Sequence, residues 1–182
     1  MNKGKYVFSQ LLSFLDPFVF LRISKKYGGD KYVKTFSCWN QLAVMMFGQL
    51  SNRESLRDLV LATHAHANKA FHLGFGKHAS KSTLADANAN RDYRIFEEFA
   101  YRVMAEARQC RATEIFKLGG KVYAFDSSTI DLCLSVFSWA LFRKKKGGIK
   151  LHTLYDIETQ IPTFFHNTPA NTPTNTPMHA KP

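Results

Sequence analysis

The hydrophobic period of this chain changes once, at Gly119-Gly120, and that change limits what it can fold into. Before it, apolar residues recur at every third or fourth position, as one face of a helix requires. After it they alternate with polar residues, as in a half-buried strand. The two periods together exclude an all-helical or an all-β chain and predict an α+β architecture with helices first and strands last.

The helical part opens with Tyr6 to Leu15, where Phe8, Leu11, Leu12 and Leu15 share a face. Asp16-Pro17 ends that helix, because the residue before proline avoids helical geometry. Phe18 to Ile23 is a second apolar piece, leading to Lys25-Lys26 and a turn at Gly28-Gly29. From Ser37 the pattern is strongly helical, with Trp39, Leu42, Ala43, Met46, Phe47 and Leu50 on one side. Ser51 is then expected to cap a further helix, with Glu54 completing a capping box and Leu56, Leu59 and Val60 buried. Two helices joined through Gln49–Asn52 have the form of a helix-turn-helix, in which the second helix offers Arg53 and Arg57, one turn apart, to phosphates or base edges. Residues 64–90 read as poorer in structure. Asn90 to Arg111 is the clearest helix, with Ile95, Phe96, Phe99, Val103, Met104 and Ala107 opposite a face of Arg94, Glu97, Glu98, Arg102 and Glu106.

After Gly120, Lys121 to Phe125 reads as a strand ending at Asp126. An apolar block from Leu134 to Phe142 and the basic run Arg143-Lys144-Lys145-Lys146 follow. Ile149 to Tyr155 alternates, Asp156 to Thr159 turns, and Gln160 to His166 returns as the second arm of a hairpin. Alternation puts Lys150 and His152 on one face, with Ile149 and Leu151 toward the core. Asn-Thr-Pro then occurs at 167–169, 171–173 and 175–177, a repeat with no apolar face that predicts a disordered tail. The resulting divisions are 1–75, a helical domain; 76–118, a connecting helical segment; 119–166, a β-rich domain; and 167–182, the tail. The few strands after Gly120 leave an unpaired edge and an uncovered face, so loose order or association with another chain is expected there.

Composition narrows the function classes. The formal net charge is +11, and residues 1–75 carry ten basic groups against four acidic ones. A balance of this kind favours polyanionic partners. No Lys/Arg-rich amphipathic helix dominates, and no apolar run is long enough to span a bilayer, so no membrane is expected. The apolar run before Asp16-Pro17 is too short for a signal peptide, which predicts a cytoplasmic, nucleoid-associated location. Cys38, Cys110 and Cys133 form no pair at metal or redox spacing and read as small buried apolar residues. His64, His66, His72 and His78 match no standard metal spacing and have no acid or thiol among them.

One residue is placed for chemistry. Asp126, at the end of a strand and followed by Ser127, Ser128 and Thr129, offers a carboxylate at a sheet edge, where a hard divalent cation takes oxygen ligands. Mg²⁺-assisted phosphoryl transfer needs two or three such acids converging from different elements, whereas one acid alone is also an ordinary cap. Asp131 reads as a cap or surface acid.

The segment KVYAFDSSTIDLCLSVFSWALFRKKKGGIKLHTLYDIETQIPTFFH (121–166) resembles the start of the catalytic domain of insertion-sequence transposases of the IS4 kind. In that family a D-S-T/S-T-I strand supplies the first acid of an Asp-Asp-Glu (DDE) triad on an RNase H-like fold. SQLLSFLDPF, WNQLAVMMFGQLSNRESLRDLV and KSTLADANANRDYRIFEEFA resemble the helical N-terminal domain of a bacterial subgroup. The resemblance implies a helical DNA-binding domain followed by the first strands of an RNase H-like domain, with Asp126 as the first catalytic and metal-binding acid and Mg²⁺ as the cofactor. It places Lys150 and His152 beside that acid. Arg53, Arg57, Lys144, Lys145, Lys146 and Lys150 are the DNA-contacting set. The implied partners are the double-stranded DNA of transposon ends, and a second copy of the chain or a full-length transposase.

The chain departs from the family pattern after the hairpin, where a strand bearing the second Asp and a helix bearing the Glu should follow. No Asp or Glu occurs from Thr159 to Pro182. The expectation is a C-terminally truncated transposase that binds DNA and does not cut it. The alternative is a non-catalytic regulator that competes with full-length transposase. A basic RNA- or ribosome-associated protein ranks below both, since no GXXG loop or aromatic RNP-type strand is present.

Overall fold

Asp16 and Pro17 separate two helices rather than only ending one. In a computed structural model that describes residues 6–110, 122–132, 141–143 and 146–171, α1 (Val7–Leu12) is followed by α2 (Pro17–Lys26). Pro17 occupies the first turn, where its missing N–H costs nothing, and the Asp16 carboxylate accepts from the backbone N–H of Phe18 (2.8 Å) and Val19 (3.3 Å). Then come α3 (Cys38–Leu50), α4 (Leu56–Ala65), a single 3-10 turn (Ala67–Lys69), α5 (Lys81–Asn90) and α6 (Arg94–Cys110). Four strands follow: β1 (Tyr123–Leu132), β2 (Leu141–Arg143), β3 (Lys146–Asp156) and β4 (Ile161–Pro169). The chain is α+β, with helices first and an antiparallel sheet last.

It divides into two compact units, residues 1–100 and 101–182. The first unit has its core on both sides of α3. Phe8, Leu12, Ala43, Val44, Leu59, Phe75, Leu84 and Ala87 form one cluster. Phe20, with rings of Trp39, Phe96 and Phe99 at 5.5, 6.0 and 4.9 Å, forms another. Leu84 and Ala87 from α5, and Ile95 and Phe99 from α6, are buried within this unit. The region read as poor in structure holds α5, capped by Ser80, whose hydroxyl accepts from Thr83 N–H at 3.1 Å. The long helix starts at Arg94 rather than Asn90, because Asn90 ends α5 and Asp92 accepts from the Arg94 N–H at 2.9 Å.

Two other expectations for this unit are corrected. Ser51 ends α3, donating its N–H to Phe47 O, and Asn52 takes a positive φ of 52°. The cap of α4 is Ser55, accepting from Asp58 N–H at 3.1 Å. Leu50 is exposed, since α3 turns its buried side through Gly48, where an added Cβ would lie 3.1 Å from Leu59. Cys38 is buried as expected, and burial pushes its thiol pKa up, but Cys110 is exposed; Cys133 lies outside the described residues.

Lys26 Nζ and Tyr27 OH both donate to the Glu98 carboxylate at 2.7 Å, tying α2 to α6. These bonds hold Glu98 below, and Lys26 above, their ordinary pKa values. A depressed carboxylate stabilises the fold above its ordinary pKa and loses that contribution as pH falls through the lowered value. Acid unfolding below about pH 4.5 is thus expected to flatten in Glu98→Gln, as followed by circular dichroism across a pH series. An unchanged acid limb would show that the tie contributes nothing to stability.

In the second unit β3 is central. It pairs antiparallel with β1 from Tyr123↔Asp156 to Leu132↔Gly147, with β4 from Ile149↔Pro169 to Asp156↔Ile161, and briefly with β2. The β3–β4 hairpin is as expected, and Asp156 explains its turn: the carboxylate accepts from Glu158 and Thr159 N–H at 3.0 and 3.3 Å. β4 runs further than expected. Asn167–Pro169 pair with Leu151, Lys150 and Ile149, and Ala170 is buried, donating its N–H to Gly148 O at 2.9 Å, so the first Asn-Thr-Pro triplet is strand and not tail. Residues 172–182 lie outside the described residues.

Candidate functional site

Two places could act on a nucleic acid, one in each unit. In the second, Asp126 is not at the end of its strand. β1 continues for six residues to Leu132, because Ser128 and Ile130 keep the alternation and find partners in Leu151 and Ile149. Opposite residues of an antiparallel pair share a face. Asp126 pairs with Thr153, so its face carries Ala124, Ser128, Ile130, Ile149 and Leu151. His152 pairs with Ser127 and Lys150 with Thr129, so both lie on the opposite face. The expectation that Lys150 and His152 share a face holds; the expectation that they lie beside Asp126 does not.

His152, which alternation puts on the face opposite Ile149 and Leu151, is buried. Its ring stacks on Phe125 at 5.7 Å and its Nε2 lies 2.9 Å from Thr168 Oγ1 on β4. Burial, then the positive charge of Lys150 and the neighbouring His166, push its pKa down, so a neutral ring packs in this sheet. Its Nδ1 makes no hydrogen bond. Asp156 lies on the same face as His152, and its carboxylate is engaged in the turn.

Mg²⁺ needs several converging oxygen ligands. Asp126 is exposed and, among the described residues, no group of three or more His, Cys, Asp or Glu side chains could hold a metal ion. The carboxylates described in this unit do not form such a group, and the described residues do not fit the cation.

The first unit holds the other place. Arg57 is exposed on the first turn of α4, but Arg53 lies in the loop before that helix, so the two do not form one helix face. Arg53 pairs with Asp58 (3.4 Å) and donates to Ser51 Oγ at 3.3 Å. Both partners of that pair are well exposed, so it competes weakly with a phosphate. Lys144 and Lys145 lie outside the described residues, Lys146 opens β3, and Lys150 sits mid-strand.

A groove of about 480 Å³ lies between the Gly28–Phe36 segment and the end of α5, lined by Lys31, Lys34, Asp86, Arg91 and Asp92 among others. Its floor is set by Arg91, whose guanidinium donates to Phe36 O, Ser37 O (3.0 Å) and Gln41 Oε1 (2.8 Å). Periodicity could not have found Arg91 or the groove, because its walls come from segments with no apolar repeat. The four histidines have local partners: the His64 and His78 ring centroids are 3.2 Å apart, His66 packs edge-on to Phe47 and His72 to Phe71. Burial and the neighbouring His64 lower the pKa of His78.

Residues 3–76 match the model of a family described as a domain of unknown function, DUF4372, a domain found at the N-termini of transposase-like proteins. The match spans α1 to α4 and the segment up to Gly76. No curated protein and no solved structure matches the chain. Among the described residues no helix is long and apolar enough to cross a membrane.

Proposed function

We propose that the chain is a transposase-derived DNA-binding protein of the insertion-sequence IS4 kind, and that by itself it does not cut or join DNA. The observation that carries the reading is the match of residues 3–76 to a domain found at the N-termini of transposase-like proteins. The positive balance of residues 1–75 supports it, since DNA affinity rests largely on neutralised phosphates. In the second unit the antiparallel pairing of β3 with β1 and β4 supports reading these strands as the opening of an RNase H-like domain, with Asp126 as the counterpart of a DDE first acid. DNA transposition and recombination are then the ancestral chemistry, with Mg²⁺ as its cofactor.

On this reading Arg53, Arg57, Lys144, Lys145, Lys146 and Lys150 contact duplex phosphates. The partners are transposon-end DNA and either a second copy or a full-length transposase, and the location is the nucleoid. A full-length transposase would meet the chain as a competitor for the same ends, so regulation is the role left to a chain that binds without cutting. Supercoiled plasmid incubated with the purified protein and Mg²⁺ is expected to be retarded on a gel and to remain supercoiled. Mg²⁺-dependent nicking that disappears in Asp126→Ala would overturn the claim that the chain does not cut.

A further inference from the structure

The groove beside the Gly28–Phe36 segment has features that phosphate binding alone does not need. The segment is tied down by hydrogen bonds and close packing. Asp30 accepts from Ser24 Oγ and from Cys38 N–H, both at 2.7 Å, and Gly29 N–H donates to Ser24 O at 2.9 Å. Gly29 is required there, since an added Cβ would collide with Ile95 Cδ1 and lie 2.7 Å from Cys38 Sγ. On this fixed base Tyr32 adopts φ +63°, a conformation that disfavours a bulky residue, and its ring is 89% exposed. Lys31 Nζ lies 5.2 Å from the centre of that ring.

The charges at the groove are sorted. Asp92 is spent on Arg94, and Arg91 on the backbone of Phe36 and Ser37. Lys31 and Lys34 form no ion pair among the described residues and both line the groove, with Asp86 on the α5 wall, while the Tyr32 ring stands outside that lining on the same segment, with the Lys31 ammonium over it. A solvated aromatic ring with one lysine against it and a second in the adjoining groove suits an unpaired base and its phosphate: the ring stacks on any base, and the ammonium groups neutralise the backbone. A paired base inside a duplex offers no face to such a ring.

We propose that this groove, together with the exposed Tyr32 ring on the segment that walls it, binds a single-stranded stretch of nucleic acid, its phosphates on Lys31 and Lys34 and an unpaired base on Tyr32. The inference rests on the DNA-binding reading and adds the place and the form of strand: a frayed or single-stranded end beside duplex held elsewhere on the chain.

Fluorescence anisotropy with the full chain tests it, using a blunt duplex and the same duplex with a single-stranded overhang. The wild type is expected to bind the overhang form roughly five- to hundred-fold more tightly, the range that one base stacked on an aromatic ring gives. Tyr32→Asn keeps a residue that tolerates positive φ, so the fold should survive; it is expected to abolish the preference and leave blunt-duplex affinity unchanged. Lys31→Ala with Lys34→Ala should lower the slope of log K against log salt for the overhang form by about one to two. Equal wild-type affinity for the two DNAs, or a preference that survives in Tyr32→Asn, overturns the groove assignment while DNA binding stands. Absence of salt-dependent affinity for either DNA overturns the DNA-binding reading as well.

Discussion

Phe20→Ala is expected to destabilise the helical unit by about 3–5 kcal/mol, the cost of deleting a fully buried aromatic ring and leaving its cavity. Phe20 is 1% exposed and touches aromatic rings from α3 and α6, so its loss opens the core where three helices meet and no single side chain can collapse into the space. Against the 5–15 kcal/mol that holds a typical domain, this is enough to lower the melting temperature by more than about 10 °C. Thermal unfolding followed by far-UV circular dichroism measures it. Phe18→Ala on the same helix is the control: at 80% exposure it should change stability by less than about 0.5 kcal/mol. Equal effects from the two would mean that α2 presents the other face to the core.

Arg91→Met is expected to cost roughly 2–4 kcal/mol, because charged hydrogen bonds are lost and the acceptors they satisfied are left without partners. Arg91 ties the α5–α6 junction to the start of α3 through Phe36 O, Ser37 O and Gln41 Oε1, and its guanidinium lies 5.4 Å from the Phe36 ring. Lysine should not rescue the loss, since one ammonium cannot reproduce a planar fork aimed at three acceptors. Denaturant titration of the three proteins checks this. Full rescue by Arg91→Lys would show that charge, not geometry, is what the site needs.

The parts of this fold that were legible in the sequence are those where one periodicity governs. Helix α3 could be read because Ser37 caps it and Ala43, Met46 and Phe47 repeat along it. The hairpin could be read because alternation runs on both sides of a turn that Asp156 builds. Where two local signals competed, the reading failed. Ser51-x-x-Glu54 has the form of a capping box, yet Asn52 takes a left-handed conformation and hands the cap to Ser55. Helix α5 was hidden because Lys81–Asn90 is mostly small and polar, and only Leu84 and Ala87 reveal which side is buried.

The candidate sites were less legible for the same kind of reason. Asp126 stood out by residue type, but the length of its strand depends on partners more than twenty residues away, and they carried β1 past it to Leu132. The burial of His152 was not legible because alternation names a shared face without saying which face is covered; Phe125 and Thr168 decide that. The Lys31–Lys34 groove depends on Arg91 and Asp30 holding distant backbone, and no sequence spacing reports that.

DNA binding by this basic chain is tested most directly by its affinity for duplex DNA across a series of salt concentrations. Log K is predicted to fall linearly with log salt, with a slope near −0.9 for each phosphate neutralised. Arg53→Ala with Arg57→Ala should reduce that slope by about one to two. A flat salt dependence, or no measurable affinity at low salt, would contradict it.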